Sequence, residues 1–136
     1  IRNFASVLAF ASCLIATVAI AQSSTTRITV AEVVIATGVE DHEPVGTATS
    51  FPSGTPLFCF IRAQNRTGAE GTISVSWESA EAPVGRARGG TSLTVPARPT
   101  FRTYARSVVE RAAGSYRCVV RGSDGRVLGS ADFSVQ

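Results

Sequence analysis

Four consecutive residues, Glu40-Asp41-His42-Glu43, set three carboxylates beside the chain's sole histidine. These are the donor types of a divalent-metal or acid-base site, but the spacing argues against that use. Adjacent residues of an extended chain point to opposite sides, so the four cannot converge on one ion. The expected reading is a solvated loop held by Pro44, with no metal and no other cofactor. Nucleophilic catalysis needs a nucleophile, a base and an orienting group within hydrogen-bond reach. One loop histidine and two cysteines expected to be oxidised do not assemble that set. Glu70, Glu78, Glu81 and Glu110 fall in turns or at strand ends, outside any recognisable carboxylate pair for glycoside chemistry. The chain therefore reads as non-catalytic, without a small-molecule substrate.

A second group of residues suits contact rather than chemistry. Arg98, Arg102 and Arg106 recur every four residues around Phe101 and Tyr104. On a strand, even spacing places all three arginines on one face with Tyr104 beside them. Arginine and tyrosine are favoured at interface centres, so this face is a candidate docking surface for an acidic partner or lipid head groups. The plainer alternative is a solvated outer sheet face. All 13 basic residues are arginine, the net charge is +3, and acidic residues are scattered among them. That balance lacks the clustered stripe of a nucleic-acid binder, so no nucleic-acid partner is expected. Asn65-Arg66-Thr67 fits a glycosylation acceptor pattern, which has meaning only in a host that glycosylates in that compartment.

The elements that must carry these residues divide at about residue 26. From Phe4 to Ala21 the chain runs 18 residues without a charge, flanked by Arg2 and by a polar stretch from Gln22 to Thr26. As a helix it would measure about 27 Å, short but sufficient for one bilayer crossing. Ala5, Ala9, Ser12, Ala16 and Ala19 would line one face with small residues, as closely packed transmembrane helices require. Ala19-Ile20-Ala21 also fits a small-x-small cleavage site, so removal of a signal after Ala21 is the alternative. Cys13 lies within this run with Phe10 where a lipidated cysteine has a leucine-like residue three before it, and the apolar stretch continues well past it, so it reads as an ordinary small residue of the helix.

From residue 27 to 136 the periodicity turns to alternation broken by turn residues, the pattern of short strands in one small domain. Strands are expected at Ile28 to Ala36, Leu57 to Ala63, Thr72 to Glu78, Phe101 to Val108, Ser115 to Arg121 and Val127 to Val135. Two weaker edge strands are expected at Val84 to Arg88 and Ser92 to Val95. Ile73, Val75 and Trp77 point inward. Asp124-Gly125 between alternating runs predicts a closing hairpin. Cys59 and Cys118 each sit mid-strand, and in an oxidising compartment two such cysteines predict one disulfide.

Gly114-Ser115-Tyr116-Arg117-Cys118 resembles the penultimate strand of immunoglobulin-like domains, where a tyrosine two residues before the second cysteine ties down the corner of the sandwich. That likeness implies Cys59 as partner on the opposing sheet with Trp77 nearby, although Trp77 follows Cys59 at more than the usual distance. The segment Thr37 to Gly46, Phe58-Cys59-Phe60, Trp77 and the closing stretch Asp124 to Val135 are together similar to the bacterial family called domain of unknown function twenty-nine fourteen. The resemblance implies a β-rich module behind a membrane segment or signal, with no established activity. The expectation is thus an all-β chain, an Ig-like antiparallel β-sandwich at 27–136 preceded by an N-terminal apolar helix at 1–26. Its expected place is the bacterial inner membrane, sandwich in the periplasm, as an accessory subunit of a larger membrane protein complex. The alternative is a soluble periplasmic ligand-binding domain.

Overall fold

The computed structural model describes residues 27–81, 90–107 and 111–136. The expected N-terminal helix, its small-residue face and the edge strand at 84–88 lie outside the described residues. Among the described residues ten strands follow one another: β1 (Ile28–Ala36), β2 (Gly38–Glu40), β3 (Glu43–Val45), β4 (Ser50–Phe51), β5 (Leu57–Asn65), β6 (Gly71–Ser79), β7 (Thr91–Val95), β8 (Phe101–Ser107), β9 (Gly114–Gly122) and β10 (Val127–Val135). They form a three-stranded sheet in the order β1-β5-β8 and a five-stranded sheet in the order β4-β10-β9-β6-β7, with β2 and β3 as a separate ribbon. Pairing is antiparallel except for β4, which runs parallel to β10.

The two sheets pack as a β-sandwich because their strands alternate. Cys59, Ile61 and Ala63 of β5 meet Ile73 and Val75 of β6, Cys118 and Val120 of β9 and Phe133 of β10 in one core, with Trp77 packed against it. β1 joins that core through an irregularity between Val30 and Glu32. Strict alternation from Val30 would have turned Glu32 inward. The extra residue resets the phase, so that Val33 and Ile35 face the core and Glu32 lies opposite Arg62 on the outside.

A disulfide between Cys59 and Cys118 joins the sheets at the centre, with both residues fully buried and their Cα atoms 6.6 Å apart. It links positions 59 residues apart in sequence, which on the chain-entropy account stabilises the fold by about 4 kcal/mol. One end of the sandwich is tied by Tyr116, whose hydroxyl donates to the Ala112 carbonyl at 2.6 Å. At the closing hairpin, Asp124 Oδ1 accepts from the Arg126 amide at 3.0 Å and Gly125 adopts φ 81°, which a residue without Cβ takes without strain.

The segment from Glu40 to Glu43 is exposed to solvent, as a solvated loop requires, and it has a defined conformation. It is the turn of the β2–β3 hairpin, with Asp41 at φ 49° and His42 at φ 62°. Both central residues of such a turn take positive φ so that its twist matches the strands. Asn-Gly or Asp-Gly usually marks this geometry, and Asp-His does not announce it.

Candidate functional site

The outer face of the three-stranded sheet carries most of the residues singled out for contact. Register places Phe58 opposite Arg106, Phe60 opposite Tyr104 and Arg62 opposite Arg102, all directed away from the core. Outward residues of a sheet face are ordinarily wet, yet Phe60 is 1% exposed and Ala36 is 0% exposed. The β2–β3 hairpin explains the difference, since it folds back against β1 and β5 and shelters them. Glu43 fastens it, pairing with Arg102 Nη1 at 2.7 Å and Arg62 Nη2 at 3.8 Å, while Arg62 Nη1 also reaches Glu32 at 3.4 Å. These pairs are solvent-exposed and contribute between about 0 and 1 kcal/mol each.

Beyond the hairpin the face is left uncovered by the described residues. Tyr104 is 49% exposed on edge strand β8. Its ring meets Phe58 edge-on at 5.6 Å, and the Arg106 guanidinium lies 5.7 Å from the same Phe58 ring. Three side chains are thereby held in one orientation without being buried. An aromatic ring fixed at its edge and a guanidinium laid over a ring have already lost much of the rotamer freedom that docking would remove.

Arg98 reaches this region by a different route from the one expected. It precedes β8 and lies in the loop between β7 and β8, so it does not share the strand face of Arg102 and Arg106. The loop is positioned by Asn65, whose amide N–H donates to the Arg98 carbonyl at 2.9 Å and whose side-chain amide donates to the Val95 and Ala69 carbonyls at 3.1 and 2.9 Å. Arg98 then lines a shallow depression with His42, Thr100, Phe101 and Arg102. The same bonds account for Asn65-Arg66-Thr67: Asn65 is buried and its amide hydrogens are spent inside the fold, so the motif closes a turn.

His42 stands at the hairpin apex, while Glu43 turns to the arginines. Among the described residues no three His, Cys, Asp or Glu side chains converge on a common point.

The opposite outer face holds a polar cluster with no signature in the sequence. Register puts Ser76 and Glu78 of β6 and Arg121 of β9 on the side of the five-stranded sheet away from the core. The Arg121 side chain is 5% exposed and that of Glu78 15%. Arg121 Nη1 donates to Glu78 Oε2 at 2.7 Å and to Ser76 Oγ at 2.8 Å, and the Ser76 hydroxyl donates to Glu78 Oε2 at 2.6 Å. Burial raises the Glu78 pKa. The hydrogen bonds from Arg121 and Ser76, with the charges of Arg121 and Arg117, outweigh it and hold the carboxyl below its ordinary value. Glu78 stands near the end of β6, and no spacing in that strand foretells a partner 43 residues away.

No family model and no curated protein matches the chain. Among solved structures it is similar to the Pseudomonas fluorescens alkylpurine DNA glycosylase AlkC bound to DNA containing an abasic site analog. The identity is 10% and the TM-score 0.55, over 83% of this chain and 31% of that one. It is also similar to a mutant beta-glucosidase from Listeria innocua in complex with laminaribiose, at 11% identity and TM-score 0.50, over 81% of this chain and 16% of that one. At such identities the likeness concerns the fold alone. The chain spans less than a third of either enzyme.

Proposed function

We propose that this chain is a non-catalytic interaction subunit, held at a bacterial inner membrane by its N-terminal apolar helix, with an Ig-like sandwich on the periplasmic side docked onto a larger membrane protein complex. The observation that carries the reading is the open half of the three-stranded sheet. There Phe58, Tyr104 and Arg106 are fixed by ring contacts while Tyr104 stays half exposed. Tyrosine and arginine supply large contact area at interface centres, and prior ordering lowers the entropy lost on docking. The Tyr116 bond to Ala112 and the disulfide between β5 and β9 support the Ig-like assignment. The motif likeness to the domain of unknown function twenty-nine fourteen supports a module of this kind behind a membrane segment.

Detergent extraction of the full chain from native membranes tests the reading. The expected result is co-purification with another membrane protein in fixed proportion, lost in the double variant Arg102→Glu, Tyr104→Ala. A chain that emerges as a monomer at every detergent mildness sinks it.

A second reading, a soluble periplasmic ligand-binding domain released by cleavage after Ala21, is favoured by one feature. A recess of ≈ 400 Å³ at one end of the sandwich sets Arg27, Glu70, Asp124 and Arg126 around Ile28 and Leu128. The mass of the mature chain separates the two readings, because a chain that starts at Gln22 has no anchor.

A further inference from the structure

Arg111 caps the aromatic end of the core. Its guanidinium carbon lies 5.5 Å from the Trp77 ring centre and 5.4 Å from that of Tyr116, within the range of a cation–π contact. Phe133 stands behind both rings, edge-on to Trp77 at 5.7 Å and stacked on Tyr116 at 5.8 Å. The corner is thus a rigid aromatic surface with a cation already in it.

The way that cation is held differs from the way Arg121 is held. Arg121 has a carboxylate and a hydroxyl on its guanidinium, whereas among the described residues no carboxylate pairs with Arg111. One hydrogen bond, from Nη2 to Ser107 Oγ at 3.4 Å, anchors the head group, and Nε is buried without a hydrogen-bond partner among the described residues. Burial lowers the pKa of the guanidinium, a pull that Tyr116 opposes. A buried donor left unpaired is costly, so a move of the side chain toward water returns part of what leaving the rings loses.

We infer that Trp77 and Tyr116 form a cation-recognition corner which the chain fills with its own Arg111, and which takes an organic cation, a guanidinium or a methylated ammonium, when Arg111 withdraws. Aromatic corners recognise such cations through the electrostatic attraction of the ring faces, and a neutral group of the same shape lacks that term. Self-occupancy lowers the apparent affinity by the fraction of molecules in which the corner is open.

Trp77 is the chain's single tryptophan, so its fluorescence reports on the corner directly. The experiment titrates choline, N-acetylargininamide and dimethylbutanol, the neutral isostere of choline, into the full-length wild type and Arg111→Ala. The expected result is a saturable change in Trp77 emission with choline or N-acetylargininamide, at concentrations lower by about tenfold or more in the variant, and no change with dimethylbutanol. Choline binding more tightly points to a lipid head group, N-acetylargininamide to an arginine of a partner chain. The inference is overturned if neither cation acts on a variant whose circular dichroism and disulfide match the wild type. It is equally overturned if dimethylbutanol acts as well as choline, or if wild type and variant respond alike. Should Arg111→Ala misfold, Arg111→Gln, which keeps the stem and removes the charge, supplies the same readout.

Discussion

The two outer faces of the sandwich use the same pair of residue types to opposite ends. On the five-stranded sheet, Arg121 and Glu78 are nearly withdrawn from water and completed by Ser76. On the three-stranded sheet, Arg62 and Arg102 share Glu43 in the open, beside a half-exposed Tyr104. A buried pair is costly to break because the surviving charge stays unpaired in a poor solvent, whereas an exposed pair opens onto water at little cost. The first arrangement fixes β6 against β9. The second leaves arginines that can exchange one acidic group for another without unfolding anything.

Several substitutions sharpen that contrast. The largest effect belongs to neither face: converting Cys59 and Cys118 to alanine removes the bridge between the sheets and lowers unfolding stability by about 4 kcal/mol in denaturant titrations. Next, Glu78→Ala leaves Arg121 buried without its carboxylate and costs about 3 kcal/mol. The same pair has a pH signature. The Glu78 pKa is depressed below its ordinary 4.5, so its contribution is complete above that value and is lost as pH falls through the lower folded pKa. Melting temperatures recorded from about pH 6 to about pH 3 should therefore decline more steeply in wild type than in Glu78→Gln. By contrast, Glu43→Ala on the exposed face should change stability by no more than about 0.5 kcal/mol. A comparable loss at Glu43 and Glu78 would break the distinction between the faces.

The strands that alternate cleanly were legible in the sequence. Ile28 to Ala36 and Val127 to Val135 have the expected bounds, and Trp77 points inward beside Cys118 as its spacing implied. What escaped was anything that depends on a partner distant in sequence. Phe60 reads as an outward residue, and only the hairpin folding back from Gly38 to Val45 makes it a buried one. That hairpin was hidden because Asp41 and His42 adopt positive φ without the glycine that normally announces it. Arg98 was placed on β8 by its spacing of four, but a spacing has no knowledge of where a strand starts. The bonds from Asn65 to Val95 and Arg98 hold it in the loop instead. The Arg121 network and the Arg111 corner were likewise invisible, since each joins residues whose proximity arises from sheet pairing.

Site-specific photocrosslinking in native membranes tests the interaction reading most directly. A photoreactive phenylalanine analogue replaces Tyr104 on the open face, or Thr94, an exposed residue of β7 on the other sheet. The account predicts a single covalent adduct to another membrane protein from position 104 and none from position 94, with the adduct weakened by Arg106→Glu. Equal adducts from both positions, or none from position 104 in membranes where the chain is intact, would contradict it.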